Sequence, residues 1–336
     1  MQNTQTSPST LKRVLDILRD NVITVGIVII AVIVGIMRPN FVKVENFRNL
    51  LSNTAVRFII AVGVSGCLIT KGTDLSAGRV AGFASCIAAL LLQKPGANEW
   101  VDMYLGVPPI ILVLLIVLML SAAIGLVNGL LIALFKVPPF IMTLGMQTLI
   151  YGVCLVVTGA QPIGYLRSDY TQIATGYLGN RIFGYIAIIA LLVGAYMWFL
   201  YNKTRYGKYM YAIGGNENAA EVAGVNTTKS KLLIYSLAAA LYGLAGFLLA
   251  AKSGGTSVNM AQGYELEAIA GCTIGGVSVN GGVGKISGIL IGVLVFELLK
   301  IAMQFLGIKS DITYIVQGLV IIVAVALDLR KYLAKK

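Results

Sequence analysis

Residues 71–79 read KGTDLSAGR, which sets Lys71, Asp74 and Arg79 between two apolar runs, AVRFIIAVGVSGCLIT (55–70) and VAGFASCIAALLLQ (80–93). The fold turns on whether those runs are the core of a soluble domain or segments dissolved in lipid. Composition decides it. Of 336 residues, 57% are hydrophobic and only 12% are charged. The mean hydropathy is +0.85. Soluble domains carry about 25% charged residues, so this chain has too little polar surface to cover itself in water. It is an all-α polytopic membrane protein, and KGTDLSAGR is a turn between two of its segments.

A helix needs about 20 mostly apolar residues to cross the hydrocarbon core. Ten segments qualify as candidates: 21–37, 50–70, 76–93, 108–135, 138–158, 183–201, 231–252, 264–279, 284–306 and 311–328. The runs are continuous, not alternating, which excludes barrel strands. The eighth is short and glycine-rich (EAIAGCTIGGV), so it is re-entrant or broken if it does not span. Lys12, Arg13 and Arg19 precede the first run, which is longer than a signal-peptide core and lacks a small-x-small cleavage site. The expected organisation is a cytoplasmic segment 1–20, one transmembrane domain 21–328 with a long polar loop 202–231, and a cytoplasmic tail 329–336.

Basic residues set the orientation. Lys203, Arg205, Lys208, Lys229 and Lys231 lie in the long loop, and Arg330, Lys331, Lys335 and Lys336 at the C-terminus. Six segments precede that loop and four follow it. Both numbers are even, so both termini and the loop fall on one side, the cytoplasm. Arg38, Lys43, Arg48 and Arg57 fall on the other side, against this tendency. Either the N-terminal flank orients the first helix, or part of 43–57 is an interfacial helix whose charges reach the headgroups.

The net charge of +12 does not indicate nucleic acid. The basic residues flank apolar segments and form no stripe with interleaved aromatics. The absence of histidine excludes histidine catalysis and histidine metal sites. Cys67, Cys86, Cys154 and Cys272 stand singly in apolar runs, as small buried residues do. GGVGKIS (281–287) is not a phosphate loop: Val279 stands where that motif needs its first glycine, and Ile286 where it needs a hydroxyl. No catalytic residue and no metal ligand emerges.

Other features have two readings each. Small residues four apart, as at Gly78–Gly82, Gly125–Gly129 and Gly284–Gly288–Gly292, suit close helix packing within the chain or at a subunit interface. Glu297 and Lys300 share a helix face inside the ninth segment, as a self-neutralising pair or as part of a transport path. GCLIT (66–70) echoes GCTIG (271–275), and GRVAGF (78–83) echoes GKISGI (284–289), with one extra residue between in the later copy. Duplicated halves are common in transporters. In the long loop, Asn216-Glu217-Asn218 can cap a short helix that Gly224 ends. Asp74 or Ser76 can cap the third helix, where the helix dipole favours an exposed carboxylate by roughly 0.3–1 kcal/mol, with Lys71 and Arg79 as partners. The alternative is that this turn lies beside the long loop and relays its movement.

Four segments together carry a resemblance. KGTDLSAG resembles the G-[IT]-D-L-S-[VA]-G signature of the monosaccharide permeases of bacterial ABC importers. VPPFIMTLG (137–145) is similar to that family's PPF-[IV]-x-TLG segment, AIGGNENAAEVAGVN (212–226) to its ATPase-coupling segment, and IGGVSVNGGVGKISG (274–288) to its later glycine-rich loop. Within the family, GTDLSAGR and YELEAIAGC lie nearer the galactose type than the ribose type. The resemblance implies a ten-helix permease subunit in a bacterial inner membrane, paired with a second copy of itself. It implies ATP-binding domains, often fused in tandem, and a periplasmic sugar-binding protein. ATP and magnesium would act on the partner, with no cofactor on this chain. Carried over, the coupling contact is Gly215, Asn216, Glu217, Ala219, Ala220, Glu221 and Gly224. The signature loop is Gly72, Thr73, Asp74, Leu75, Ser76 and Gly78, and the later loop is Gly275, Gly276, Gly281, Gly282 and Gly284. A neutral sugar asks for hydroxyl, amide and aromatic contacts, for which Thr143, Gln147, Tyr151 and Gln161 are candidates. The alternative function is an ion-coupled secondary transporter acting alone, with Glu297 as its carboxylate.

Overall fold

The computed structural model describes residues 22–179 and 183–333. The segment 1–20 and the last lysines of the tail lie outside them. Fourteen α-helices and no strand run through the described residues. Ten of them fall in the ten apolar segments. α1 is Val22–Met37, α2 Val44–Ile69 and α3 Ala77–Leu91; a short α4, Glu99–Tyr104, precedes α5, Ile110–Leu134, and α6, Pro139–Thr158. α7, Ser168–Thr175, leads to α8, Tyr185–Lys203, and then α9, Arg205–Gly215, and α10, Glu217–Val222. α11 is Thr227–Ser253, α12 Tyr264–Ile274, α13 Ile286–Phe305 and α14 Ser310–Leu333.

Seven of these helices are long and apolar enough to cross a membrane: α2, α5, α6, α8, α11, α13 and α14; α1 and α3 are shorter apolar helices. The eighth segment resolves into a half-length helix and a glycine loop. The eleven residues of α12 rise only about 16 Å, against a hydrocarbon core of about 30 Å. Residues 43–57 form no separate interfacial helix, because α2 runs unbroken from Val44 to Ile69.

α2 and α11 form the centre. α11 packs on α5, α3 and α2, while α2 also packs on α12, α13 and α8. The long helices α5, α6 and α14 bury little and turn residues such as Ile111, Met119 and Ile322 outward. With lipid as solvent there is little hydrophobic drive between helices, so close van der Waals fit holds them together. The small residues supply that fit inside the chain. A Cβ on Gly125 would lie 2.2 Å from the carbonyl oxygen of Tyr235 on α11, and one on Gly246 2.0 Å from that of Ala81 on α3.

The sequence echo has a structural counterpart. α2 ends with the N–H of Gly72 donating to the carbonyl of Cys67 (2.8 Å), and α12 with the N–H of Val277 donating to the carbonyl of Cys272 (2.9 Å). Each six-residue closure needs a left-handed residue one position before its donor. Lys71 (φ 62°) takes that place in the first copy and Gly276 (φ 81°) in the second.

Candidate functional site

The signature turn leaves the end of α2 and dives inward. Asp74 is only 1% exposed. Its Oδ1 accepts from the Ser76 N–H (2.9 Å) and the Ser76 hydroxyl (2.6 Å), and its Oδ2 accepts from the Tyr242 hydroxyl (3.2 Å). A carboxylate bonded to the amide two residues on is an Asx turn, not the exposed helix cap that the sequence suggested. Its expected charged partners point elsewhere. Lys71 Nζ donates to the Gly215 carbonyl, and Arg79 donates to the Val258 carbonyl and stacks over the Tyr151 ring. Burial pushes the Asp74 carboxyl up from its ordinary value, and the hydrogen bonds from Ser76 and Tyr242 pull against that shift.

Neighbouring helices hold the turn in place. The Thr143 hydroxyl accepts from the Leu75 N–H (3.1 Å) and lies 3.2 Å from the Thr73 carbonyl. Asn128 donates to the Ser76 hydroxyl (3.2 Å). Thr143 is fully buried in this role, whereas Gln147 and Tyr151 are half-buried and Gln161 is exposed. Thr143, Gln147 and Tyr151 recur every four residues along one face of α6, and Gln161 lies beyond its end.

The long loop 202–231 is almost wholly helical. α8 ends within it, α9 and α10 occupy most of it, and α11 begins in it. Asn216 caps α10, its side chain accepting from the Ala219 N–H (3.1 Å), and Gly224 follows the helix with φ 86°. α10 stands outward, with Val222 91% exposed and Ala220 as its buried anchor. Glu217 at its start takes a two-point contact from Lys231 Nζ, at 2.6 and 2.8 Å, which ties α10 to the second turn of α11.

Three glycine segments far apart in sequence meet at the foot of α10. The last carbonyls of a helix have no partner inside it, and the Ile69 carbonyl at the end of α2 takes the Gly282 N–H at 2.8 Å. Gly214, at the end of α9, lies against the same carbonyl: a Cβ there would be 1.8 Å from the Ile69 oxygen and 2.6 Å from the Gly282 nitrogen. Gly281 (φ 84°) and Gly282 (φ 74°) take conformations that favour glycine. The signature turn, the exposed helix and the later glycine loop are therefore joined backbone to backbone, with no flexible side chain between them.

A second cluster lies farther back along α2, about 18 Å from Ile69 at 1.5 Å per residue. Arg57 Nε sits 2.6 Å from Glu267 Oε2 on α12 and 3.2 Å from Glu297 Oε2 on α13. Lys300 Nζ lies 2.8 Å from Glu267 Oε1 and 3.7 Å from Glu297 Oε2. The Arg57 guanidinium also stacks on the Tyr264 ring, and Lys252 on α11 donates to Asn53. The Glu297–Lys300 pair read from spacing thus belongs to a four-helix network, and Glu267 is its better-bonded carboxylate. This also removes Arg57 from the set of unexplained outer charges. Arg57 and Glu267 were missed as partners because 210 residues separate them. The available signal was that each is a charge with no partner in its own apolar segment.

An α-helical membrane domain whose exposed capped helix is joined through glycine backbone to a buried signature turn has the build of a transport permease. The chain belongs to the family described as branched-chain amino acid transport system / permease component, which matches residues 46–325. It is 42% identical over 330 residues to the galactose/methyl galactoside import permease protein MglC of Escherichia coli (strain K12), covering 97% of this chain and 98% of that one. It is 41% identical over 326 residues to MglC of Haemophilus influenzae, covering 96% and 97%. It is 36% identical over 309 residues to the ribose import permease protein RbsC of Bacillus subtilis (strain 168), covering 91% of each. No solved structure matches the chain. The protein is accordingly the permease subunit of an ABC importer, a transport component and not an enzyme.

Proposed function

We propose that this permease forms the path for a galactose- or methylgalactoside-like monosaccharide and draws its energy from a separate ATP-binding subunit docked on α10. The observation that carries the reading is the backbone junction of Ile69, Gly214 and Gly282 beneath that helix. A push on α10 passes through Gly214 to the end of α2 and the signature turn without a compliant side chain to absorb it. In this reading α10 faces the cytoplasm, both termini lie on that side, and ten segments traverse or enter the bilayer of a bacterial inner membrane. The working unit is a homodimer served by a periplasmic sugar-binding protein. ATP and magnesium act on the partner, whether it is one domain or two fused in tandem. ATP closure draws the two α10 helices together, and the helices shift between outward-open and inward-open populations.

The network around Glu297 favours this over an ion-coupled transporter working alone. A coupling carboxylate must take up and release its ion, whereas Glu297 lies at ion-pair distance from two cations and is 3% exposed. The test is to tag the C-terminus, extract the protein in mild detergent from its native host and identify what co-purifies. A stoichiometric ATP-binding protein, lost when Glu217–Gly224 is altered, supports the reading. A chain that comes out alone and moves sugar into liposomes without ATP overturns it.

A further inference from the structure

Beside the start of α10 lies a cavity of about 200 Å³, walled by the signature turn, the α5–α6 turn and α11. Its charge does not balance. Lys231 and Glu217 neutralise each other at 2.6 and 2.8 Å. That leaves Lys71, whose Nζ reaches only the backbone carbonyl of Gly215, and Lys136, whose side chain is 67% exposed and stands 3.9 Å from the already paired Glu217. Tyr235, in the same wall, is buried and its hydroxyl has no hydrogen-bond partner.

Lys71 (φ 62°) and Lys136 (φ 54°) are two of only five non-glycine residues with positive φ among the described residues. Glycine adopts that conformation without strain, and the repeat copy of Lys71 is Gly276. A helix C-terminus favours a cation, but that does not bring two ammonium groups from separate turns to one cavity. Apolar side chains continue outward from its rim: Leu134, Phe135, Phe140 and Ile141 are all exposed.

We propose that this cavity binds the phosphate of an anionic phospholipid. Lys71 and Lys136 flank the phosphate, and the acyl chains lie along Leu134, Phe135, Phe140 and Ile141. The proposal rests on the orientation given above, which puts this end of the molecule at the cytoplasmic leaflet, where basic pockets between helices bind anionic headgroups. A bound headgroup bridges the signature turn and the α5–α6 turn beside α10, so lipid composition sets how firmly the coupling helix is seated.

The experiment uses the full chain in nanodiscs of phosphatidylcholine, with and without phosphatidylglycerol. Native mass spectrometry reads the lipid retained, and the thermal midpoint reads its effect. Phosphatidylglycerol is expected to be retained and to raise the midpoint, while inorganic phosphate added to phosphatidylcholine discs does neither. In the double variant Lys71→Gly/Lys136→Gly, glycine suits both turns, so the chain folds. Its retention is expected to fall roughly thirtyfold, the contribution of two lysines next to anionic lipid. Equal retention by wild type and variant overturns the site. An equal response to inorganic phosphate overturns the lipid assignment in favour of a free phosphate ligand. Absence of any lipid effect, with the variant instead losing its co-purifying ATP-binding protein, assigns the cavity to an acidic partner side chain. The lipid measurement needs no partner, so its failure is separate from failure of the importer reading, which the co-purification of Glu217–Gly224 variants reports.

Discussion

Replacing Glu267 by glutamine tests whether the buried ionic network is a structural clamp with Glu267 as its keystone. The substitution keeps shape and removes one charge. Glu267 makes the two short contacts, 2.6 Å to Arg57 and 2.8 Å to Lys300. At an effective dielectric near 20, each such contact is worth on the order of 6 kcal/mol before desolvation, and desolvation cancels several kcal/mol per ion. Without Glu267, three cations (Arg57, Lys300 and nearby Lys252) face Glu297 alone. Glu297 meets Arg57 at 3.2 Å and Lys300 at 3.7 Å, with no hydrogen bond on the Oε2 that faces them. Removing one partner from a buried network costs about 3–5 kcal/mol, and Glu267→Gln belongs at the upper end. Glu297→Gln leaves both short contacts intact and is expected to cost about 1–2 kcal/mol.

The assay is the thermal midpoint of the detergent-solubilised chain, where these losses correspond to a fall of about 6–7 °C for Glu267→Gln and about 1.5–3 °C for Glu297→Gln. The double variant Glu267→Gln/Arg57→Gln restores the original charge balance and is expected to recover at least half of the loss. The clamp reasoning fails if Glu297→Gln is the more damaging single change, or if the double variant melts no higher than Glu267→Gln.

Asp74→Asn is expected to reach the membrane at normal levels but to reduce ATP-driven uptake. Because burial raises the Asp74 pKa in the folded state, the unfolded chain ionises first as pH rises. The Asp74 contribution to stability therefore falls from about pH 4 upward, so the difference in thermal midpoint between wild type and the Asn variant is expected to change with pH in that direction; a difference independent of pH removes Asp74 as its source. Gly214→Ala places a methyl group where the Ile69 carbonyl stands. It is expected to cost about 1–3 kcal/mol and to lower uptake far more than membrane abundance; normal uptake in vesicles counts against the junction as a coupling element. Asn216→Ala removes the cap of α10 at about 1 kcal/mol and should weaken recovery of the ATP-binding protein, whereas Asn216→Asp keeps the cap and should not.

Much of the fold was legible because lipid imposes a coarse rule. Each of the ten apolar runs carries a helix, and the one in 264–279 stops at Ile274, where EAIAGCTIGGV turns into consecutive glycines. The cap of α10 was legible for a local reason: Asn216 needs only the amide three residues on. What could not be read depends on contacts between distant segments. Nothing near Asp74 in sequence announces Tyr242, and the flanking Lys71 and Arg79 suggested partners that the fold sends elsewhere. Arg57 looked like a misplaced surface charge until α12 brought Glu267 to it. Likewise α9 was hidden, because RYGKYMYAIGG has the polarity of a loop and becomes helical by burying Met210 and Ile213.

The two clusters stand in a definite relation, because both include α2. At one end, Arg57 ties α2 to α12 and α13 through charge; at the other, the Ile69 carbonyl ties it to Gly282, in the loop that joins α12 to α13. Along α13, Gly292 and Gly288 lie so close to the carbonyls of Gly271 and Gly275 that a Cβ would overlap them, at 2.0 and 2.1 Å. α12 and α13 are therefore packed backbone to backbone, and α2 is fastened to them at both ends. In the coupling proposed above, a displacement of α10 reaches this body at its Ile69 end through Gly214. On that proposal it moves the body as a whole against its neighbours α11, α8 and α1. On the same proposal the charges at Arg57, Glu267, Glu297 and Lys300 have a use inside a membrane protein: an apolar contact could slide, whereas a bonded charge network holds the far end of α2 in register.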